Sequence, residues 1–207
     1  MKKILSFLIL LLILPIIGIA DSTHWKTYRF PTHQEYVFAL PSTYHVLYEG
    51  MPDDSPVFSL LHLSTEKVSL LLQFNSAIAL AYTGDFSSVI AFYSFDNYED
   101  KSFDFRDLTI EELEECKSFF EESTINRYSE TGCVVNSFDT SLFETDYTCF
   151  FKSIASIQIG TQTILQVQYT TIVNGIDLII VFTPNTDNEF EIYSEQVDGI
   201  VQNFIPL

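Results

Sequence analysis

Apolar residues recur at every second position through most of the C-terminal half of the chain, which predicts four strands over 133–143, 147–158, 163–173 and 176–183. Gly160-Thr161 and Asn174-Gly175 mark turns between them. Asn-Gly is the strongest two-residue hairpin signal, because both central positions of the favoured turn need positive φ. It fixes the register of its two strands. Val173 then faces Ile176, Thr171 faces Leu178, Tyr169 faces Ile180 and Val167 faces Phe182, all on one side of the sheet. The other side carries Gln166, Gln168, Thr170 and Ile172 against Asp177, Ile179, Val181 and Thr183. A face that is half apolar is expected to be partly covered as well.

Elsewhere the period changes to that of a helix. Segment 187–204 places Phe190, Tyr193, Val197, Ile200, Val201 and Phe204 on one stripe, with Glu191, Glu195, Asp198 and Gln202 opposite. Thr109 and Glu112 form a capping box, the hydroxyl accepting from the backbone while the carboxylate reaches back. The helix they open turns Ile110, Leu113, Cys116 and Phe120 inward and Glu111, Glu114, Glu115 and Glu122 outward. A shorter helix over 65–75 has Ser64 as its cap and Glu66 in its first turn. Nearer the N-terminus, 26–30 and 35–40 read as a strand pair, and 77–82 with 87–95 as strands joined across Thr83-Gly84-Asp85-Phe86. Segments 51–56 and 96–107 are acidic and read as surface loops. Two or three helices around one antiparallel sheet make an α+β layered domain.

The order of these elements carries a resemblance. A strand pair ends in Leu40-Pro41, a glycine leads the strand Gly132-Cys133-Val134-Val135, the block from Gln168 to Gly175 follows, and the terminal helix ends Gly199-Ile200-Val201-Gln202-Asn203-Phe204. In this order the chain resembles the PsbP-like family, and in particular small secreted proteins of gut clostridia. The resemblance implies an antiparallel β-sheet flanked by helices in a layered α/β/α sandwich. It also implies a binding or assembly role, as in photosystem extrinsic subunits, a nuclear-import cofactor and bacterial envelope proteins. No partner-binding motif of that family is matched, so the resemblance assigns no site residues.

The first 20 residues add a compartment. Lys2 and Lys3, the apolar run 4–14, Pro15 and the small-residue end Gly18-Ile19-Ala20 have the layout of a secretory signal peptide cut between Ala20 and Asp21. Segment 21–207 then forms a single secreted domain, and an uncleaved leader would tether it to the membrane. Charge narrows the partners. The chain holds 28 acidic and 10 basic residues, a net charge of −18, and without Lys2 and Lys3 the balance is 28 against 8, or about −20. Nucleic acid is excluded as a partner, because its phosphates would be repelled, as would an anionic membrane surface. Aromatic content of 15% and hydrophobic content of 47% exclude a disordered acidic tail.

Candidate chemistry is sparse. The chain has no Gly-x-Ser-x-Gly, no His-Glu-x-x-His and no phosphate-cradling glycine loop, and no cofactor is implied. His24, His33, His45 and His62 are scattered singly, and Cys116, Cys133 and Cys149 are expected as buried free thiols, with one disulfide among them as the alternative. Calcium is the metal the acidic loops suggest. Asp96, Asp100 and Asp104 alternate with Tyr98 and Ser102, and Asn185, Asp187, Glu189 and Glu191 alternate before the last helix. Neither loop has the glycine at position six and glutamate at twelve of an EF-hand. The expected function is a non-enzymatic binding or assembly module for a protein, glycan or lipid of the cell envelope, its acidic surface suited to a cationic partner. Two alternatives are an extracellular hydrolase using carboxylates such as Asp104, Asp107 or Glu112, and a structural envelope component. N-terminal sequencing of the exported protein is expected to begin at Asp21. An intact Met1 terminus in the membrane fraction would show that the leader stays as an anchor.

Overall fold

The computed structural model describes residues 24–30, 36–96 and 102–206. The leader with Ala20 and Asp21, and Asp100 of the acidic loop, lie outside the described residues. The elements are β1 (Trp25–Phe30), β2 (Tyr36–Pro41), β3 (His45–Tyr48), α1 (Pro56–Leu61), α2 (Thr65–Asn75), β4 (Ala79–Tyr82) and β5 (Ser88–Phe95). They continue as α3 (Ile110–Glu130), β6 (Val134–Glu144), β7 (Cys149–Ile159), β8 (Gln162–Val173), β9 (Ile176–Pro184), α4 (Asp187–Gln202) and β10 (Ile205–Pro206). No described helix is long and apolar enough to cross a membrane.

Seven strands form one antiparallel sheet in the order β3-β4-β5-β9-β8-β7-β6. Asn174 and Gly175 sit at φ 51° and 67°, and β8 pairs with β9 in the register read from the turn, with Val173 opposite Ile176 and Tyr169 opposite Ile180. One face of this sheet builds the main core. Val167, Tyr169, Val173, Leu178, Ile180 and Phe182 meet Val197, Ile200 and Val201 of α4 and the aromatic residues of the N-terminal strands. The opposite face carries two separate apolar clusters: Phe58, Val68 and Leu72 of α1 and α2 cover one half, and Leu113 of α3 covers the other.

The single sheet expected from the pattern is in fact two. β1 and β2 pair with β10, not with the large sheet. The reason is the apolar alternation of Tyr36, Phe38 and Leu40: all three are fully buried, so this face packs flat on the core instead of extending the sheet edgewise. Phe38 packs its ring 4.9 Å from that of Phe92 and 5.2 Å from that of Phe204, which welds the small sheet, the large sheet and the chain end together.

One expected loop differs and another gains a helix at its end: residues 51–55 are the expected loop, and only Pro56 belongs to a helix the pattern does not show. The acidic stretch 51–56 runs directly into α1, which starts with Pro56 in the first helical turn, where its missing N–H costs nothing, and buries Phe58. In the stretch 96–107, Asp104 and Phe105 are buried, and residues Phe105–Asp107 make a single 3₁₀ turn. The last helix stops at Gln202, two residues short of the expected end, while Phe204 beyond it is fully buried.

A polar contact locks α4 to the sheet. Lys152 Nζ lies 2.6 Å from Asp198 Oδ1, Tyr169 donates its hydroxyl to the same oxygen, and the ammonium sits 5.5 Å from the ring centroids of Tyr169 and Phe143. Burial, then the hydrogen bond to the Asp198 carboxylate, pushes the Tyr169 hydroxyl far up, so it stays a donor at any working pH. Val197 is fully buried beside this group. Val197→Asp is expected to unfold the protein, because an unpaired buried charge costs about 3–5 kcal/mol against a total stability of about 5–15. Loss of the cooperative thermal transition in circular dichroism checks this, and an unchanged transition would show that α4 is not docked through Val197.

Candidate functional site

The most site-like feature lies on the helix-covered face, beneath α3. Its construction begins with the capping box: Glu112 N–H donates to Thr109 Oγ1 at 3.2 Å and Thr109 N–H donates to Glu112 Oε2 at 2.8 Å. From this start Leu113, Cys116, Phe120, Thr124 and Arg127 follow one another at helical spacing along the sheet side of a 21-residue helix. Leu113 is buried to 1% exposure, Cys116 and Phe120 are half-buried, and Ile110 in the first turn stays 44% exposed, contrary to its place on the predicted inward stripe.

Between this stripe and the sheet is a cleft of about 340 Å³, at the small end of the range of about 300–1,000 Å³ usual for ligand sites. Phe105 and Phe120 each meet Phe151 of β7, with ring centroids 5.2 and 5.0 Å apart, and Phe103 meets Phe105 edge to face at 6.1 Å. The floor is polar. Gln168 and Thr170 of β8 line it beside Asp177 and Ile179 of β9, and Gln168 Nε2 donates to Thr170 Oγ1 at 2.9 Å. Just beyond, Tyr128 donates to Gln166 Oε1 at 3.0 Å and Gln166 Nε2 donates to Thr183 Oγ1 at 3.3 Å, tying the C-terminal end of α3 to the sheet. Ser123, Thr124 and Arg127 border the cleft on the helix side, and Phe119 stands at its mouth with 77% exposure.

Asp104 holds the closed end in place. Its carboxylate accepts from Arg106 Nη2 at 2.6 Å, Arg106 N–H at 2.8 Å and Asn174 N–H at 2.8 Å. Arg106 Nη2 also donates to Asn174 Oδ1 at 2.9 Å, and Gly175 N–H donates to the Phe103 carbonyl at 2.8 Å. The segment carrying Phe103 and Phe105 is thus stapled to the tip of the β8–β9 hairpin. Of the calcium candidates, Asp104 is committed to this staple, Asp96 is exposed at the end of β5, and Asp100 lies outside the described residues. Glu189 caps α4 through the backbone N–H groups of Asn185 and Thr186. Among the described residues no three His, Cys, Asp or Glu side chains converge.

None of the hydrolase carboxylates lines the cleft. Asp104 is in the staple, Glu112 is in the capping box and Asp107 is exposed, while the carboxylate that lines the cleft is Asp177. All three cysteines are free, but only Cys149 is buried as expected, Cys116 and Cys133 being half-buried; burial, helped by the Glu144 charge, pushes the Cys149 thiol up and keeps it protonated. The sequence reading missed the cleft residues Phe103, Phe105, Arg127 and Gln168. Its usable signal was the half-apolar outer face of β8 and β9, together with two phenylalanines inside an otherwise polar loop.

Neither a scan of protein-family models nor a search of the curated proteins gives a match. Among solved structures the chain is similar to the solution structure of cyanobacterial PsbP (CyanoP) from Synechocystis sp. PCC 6803, with a TM-score of 0.50, 11% identity, and 94% of this chain and 99% of that one covered. The fold is PsbP-like. At this identity the likeness is one of architecture, and it extends over nearly the whole of both chains. The Asp104 staple within this fold yields a pH expectation. Burial pushes the Asp104 carboxyl up, but hydrogen bonds from Arg106 and from the Asn174 N–H outweigh it and hold the carboxyl below its ordinary 3.8. A depressed folded pKa stabilises above the unfolded value, and that stability is lost as pH falls through the folded one. Asp104→Asn is expected to cost about 1–3 kcal/mol at neutral pH and to flatten the loss of stability below about pH 4. Denaturant melts at pH 7 and pH 3 check both, and an unchanged acid limb would remove Asp104 from the account.

Proposed function

We propose that the chain is a non-enzymatic, extracytoplasmic binding module whose ligand seat is the cleft beneath α3. The observation that carries this reading is the cleft itself: phenylalanine walls, an amide and hydroxyl floor, and no paired acid and base or activated nucleophile along its lining. The leader layout supports export, and the PsbP-like fold is compatible with an envelope role, while kinship with clostridial secreted proteins rests on the sequence pattern alone. The partner class stays that of the envelope, a protein, glycan or lipid whose apolar portion enters the cleft. Salt should matter little for such a contact, since burial of apolar surface is not screened.

The neutral fluorophore N-phenylnaphthylamine provides the test. It is expected to brighten on binding the native protein, and Thr124→Trp, which fills the cleft from the helix, should weaken binding at least about tenfold, or 1.4 kcal/mol. Ser123→Trp is the second variant, and a melting temperature close to that of the native protein shows that each remains folded. Binding that both variants retain would overturn the cleft as the seat.

A further inference from the structure

The mouth of the cleft carries a charge opposite to that of the molecule. Arg127 lines it in a chain whose net charge is −18. Every other described cation is engaged: Lys26 lies over the Tyr28 ring, Lys67 reaches the His62 carbonyl, Arg106 holds Asp104, Lys117 holds Glu114 and Lys152 holds Asp198. Arg29 is engaged as well. Among the described residues Arg127 alone has a cationic side chain with no ion-pair, hydrogen-bond or ring partner, although Glu122 and Glu130 flank it on the outer side of α3.

We infer that the cleft takes an amphipathic organic anion, its apolar body against the accessible faces of Phe103, Phe119, Phe120 and Ile179 that line the cleft and its acid group at the Arg127 guanidinium. This rests on the cleft being the binding seat. A guanidinium matches a carboxylate or sulfonate with paired donors and is weakly hydrated, so it gives up water for such a group more readily than an ammonium does. A cationic head would instead need Asp177, which already has a partner, and would stand against the charge of Arg127. The negative charge of the whole molecule opposes an anion, but that field is screened over about 10 Å at 0.1 M salt, whereas the guanidinium acts at contact. Gln168 and Thr170 give the buried portion of the ligand a polar stripe, which admits an amine or hydroxyl beside the apolar body.

Two probes with one body separate the claims. N-phenylnaphthylamine is neutral, and anilinonaphthalene sulfonate is the same ring system with one anionic group. The sulfonate is expected to bind the full chain about three- to tenfold more tightly than the neutral amine, the gain of a charge-assisted contact at a half-wet rim. Arg127→Gln should erase that preference, bringing the ratio of the two affinities to about one, and Arg127→Lys should retain part of it. Either bound probe should also slow alkylation of Cys116, which lines the same cleft. Equal affinity for the two probes, or a sulfonate preference that survives Arg127→Gln, overturns the anion assignment and leaves the cleft as a seat for neutral ligands. Failure of the neutral probe to bind at all overturns the seat, and the assignment with it.

Discussion

Positive φ at both Asn174 and Gly175 holds β8 and β9 in one register, and that register decides which side chains meet the core and which meet the cleft. Side chains alternate across a strand, so a slip of one residue would turn Tyr169 and Ile180 to the helix-covered face and drive Gln168 and Asp177 into the main core. No neighbouring interaction can compensate for an error of that kind, because every buried position of two central strands changes sides at once. The turn is therefore the constraint on which both faces depend. Core packing supplies the energy that enforces it, through Val167, Leu178 and Phe182 against α4.

The Asp104 staple carries this constraint outward. A carboxylate with 4% exposure is tolerable only with its lone pairs satisfied, and here a side-chain fork and two backbone N–H groups supply the donors. Since one of those N–H groups belongs to Asn174, the segment leading into α3 is aligned to the same turn that sets the register. The edge-to-face contact of Phe105 with Phe151 under α3 follows from that alignment.

Sequence pattern reached the large elements because each depends on local periodicity. The capping box at Thr109 and Glu112, the stripe ending in Val197 and Val201, and the Asn-Gly register all act within a few residues of the signal that reveals them. What the pattern missed depends on contacts distant in the chain. The separation of β1 and β2 into their own sheet needs the chain end at Ile205 and Pro206 as a third strand. The burial of Asp104 needs Asn174, 70 residues away. An acidic loop and an acidic staple look alike until the partner is known, which is why Asp104 reads equally well as a calcium candidate or a hydrolase carboxylate.

The two helical layers are anchored unequally. α4 buries Val197, Ile200 and Val201 and adds the Lys152–Asp198 contact, whereas Leu113 is the one fully buried side chain of the much longer α3. Local opening costs least where few apolar contacts must be broken. Lifting α3 from the sheet is therefore cheaper than lifting α4, and it exposes the floor at Gln168 and Thr170 without disturbing the core on the far side. In mechanical terms the sheet is a plate with two covers of unequal grip, and the weaker one is held at its two ends, by the segment that Asp104 pins to the hairpin tip and by the hydrogen bond from Tyr128 to Gln166.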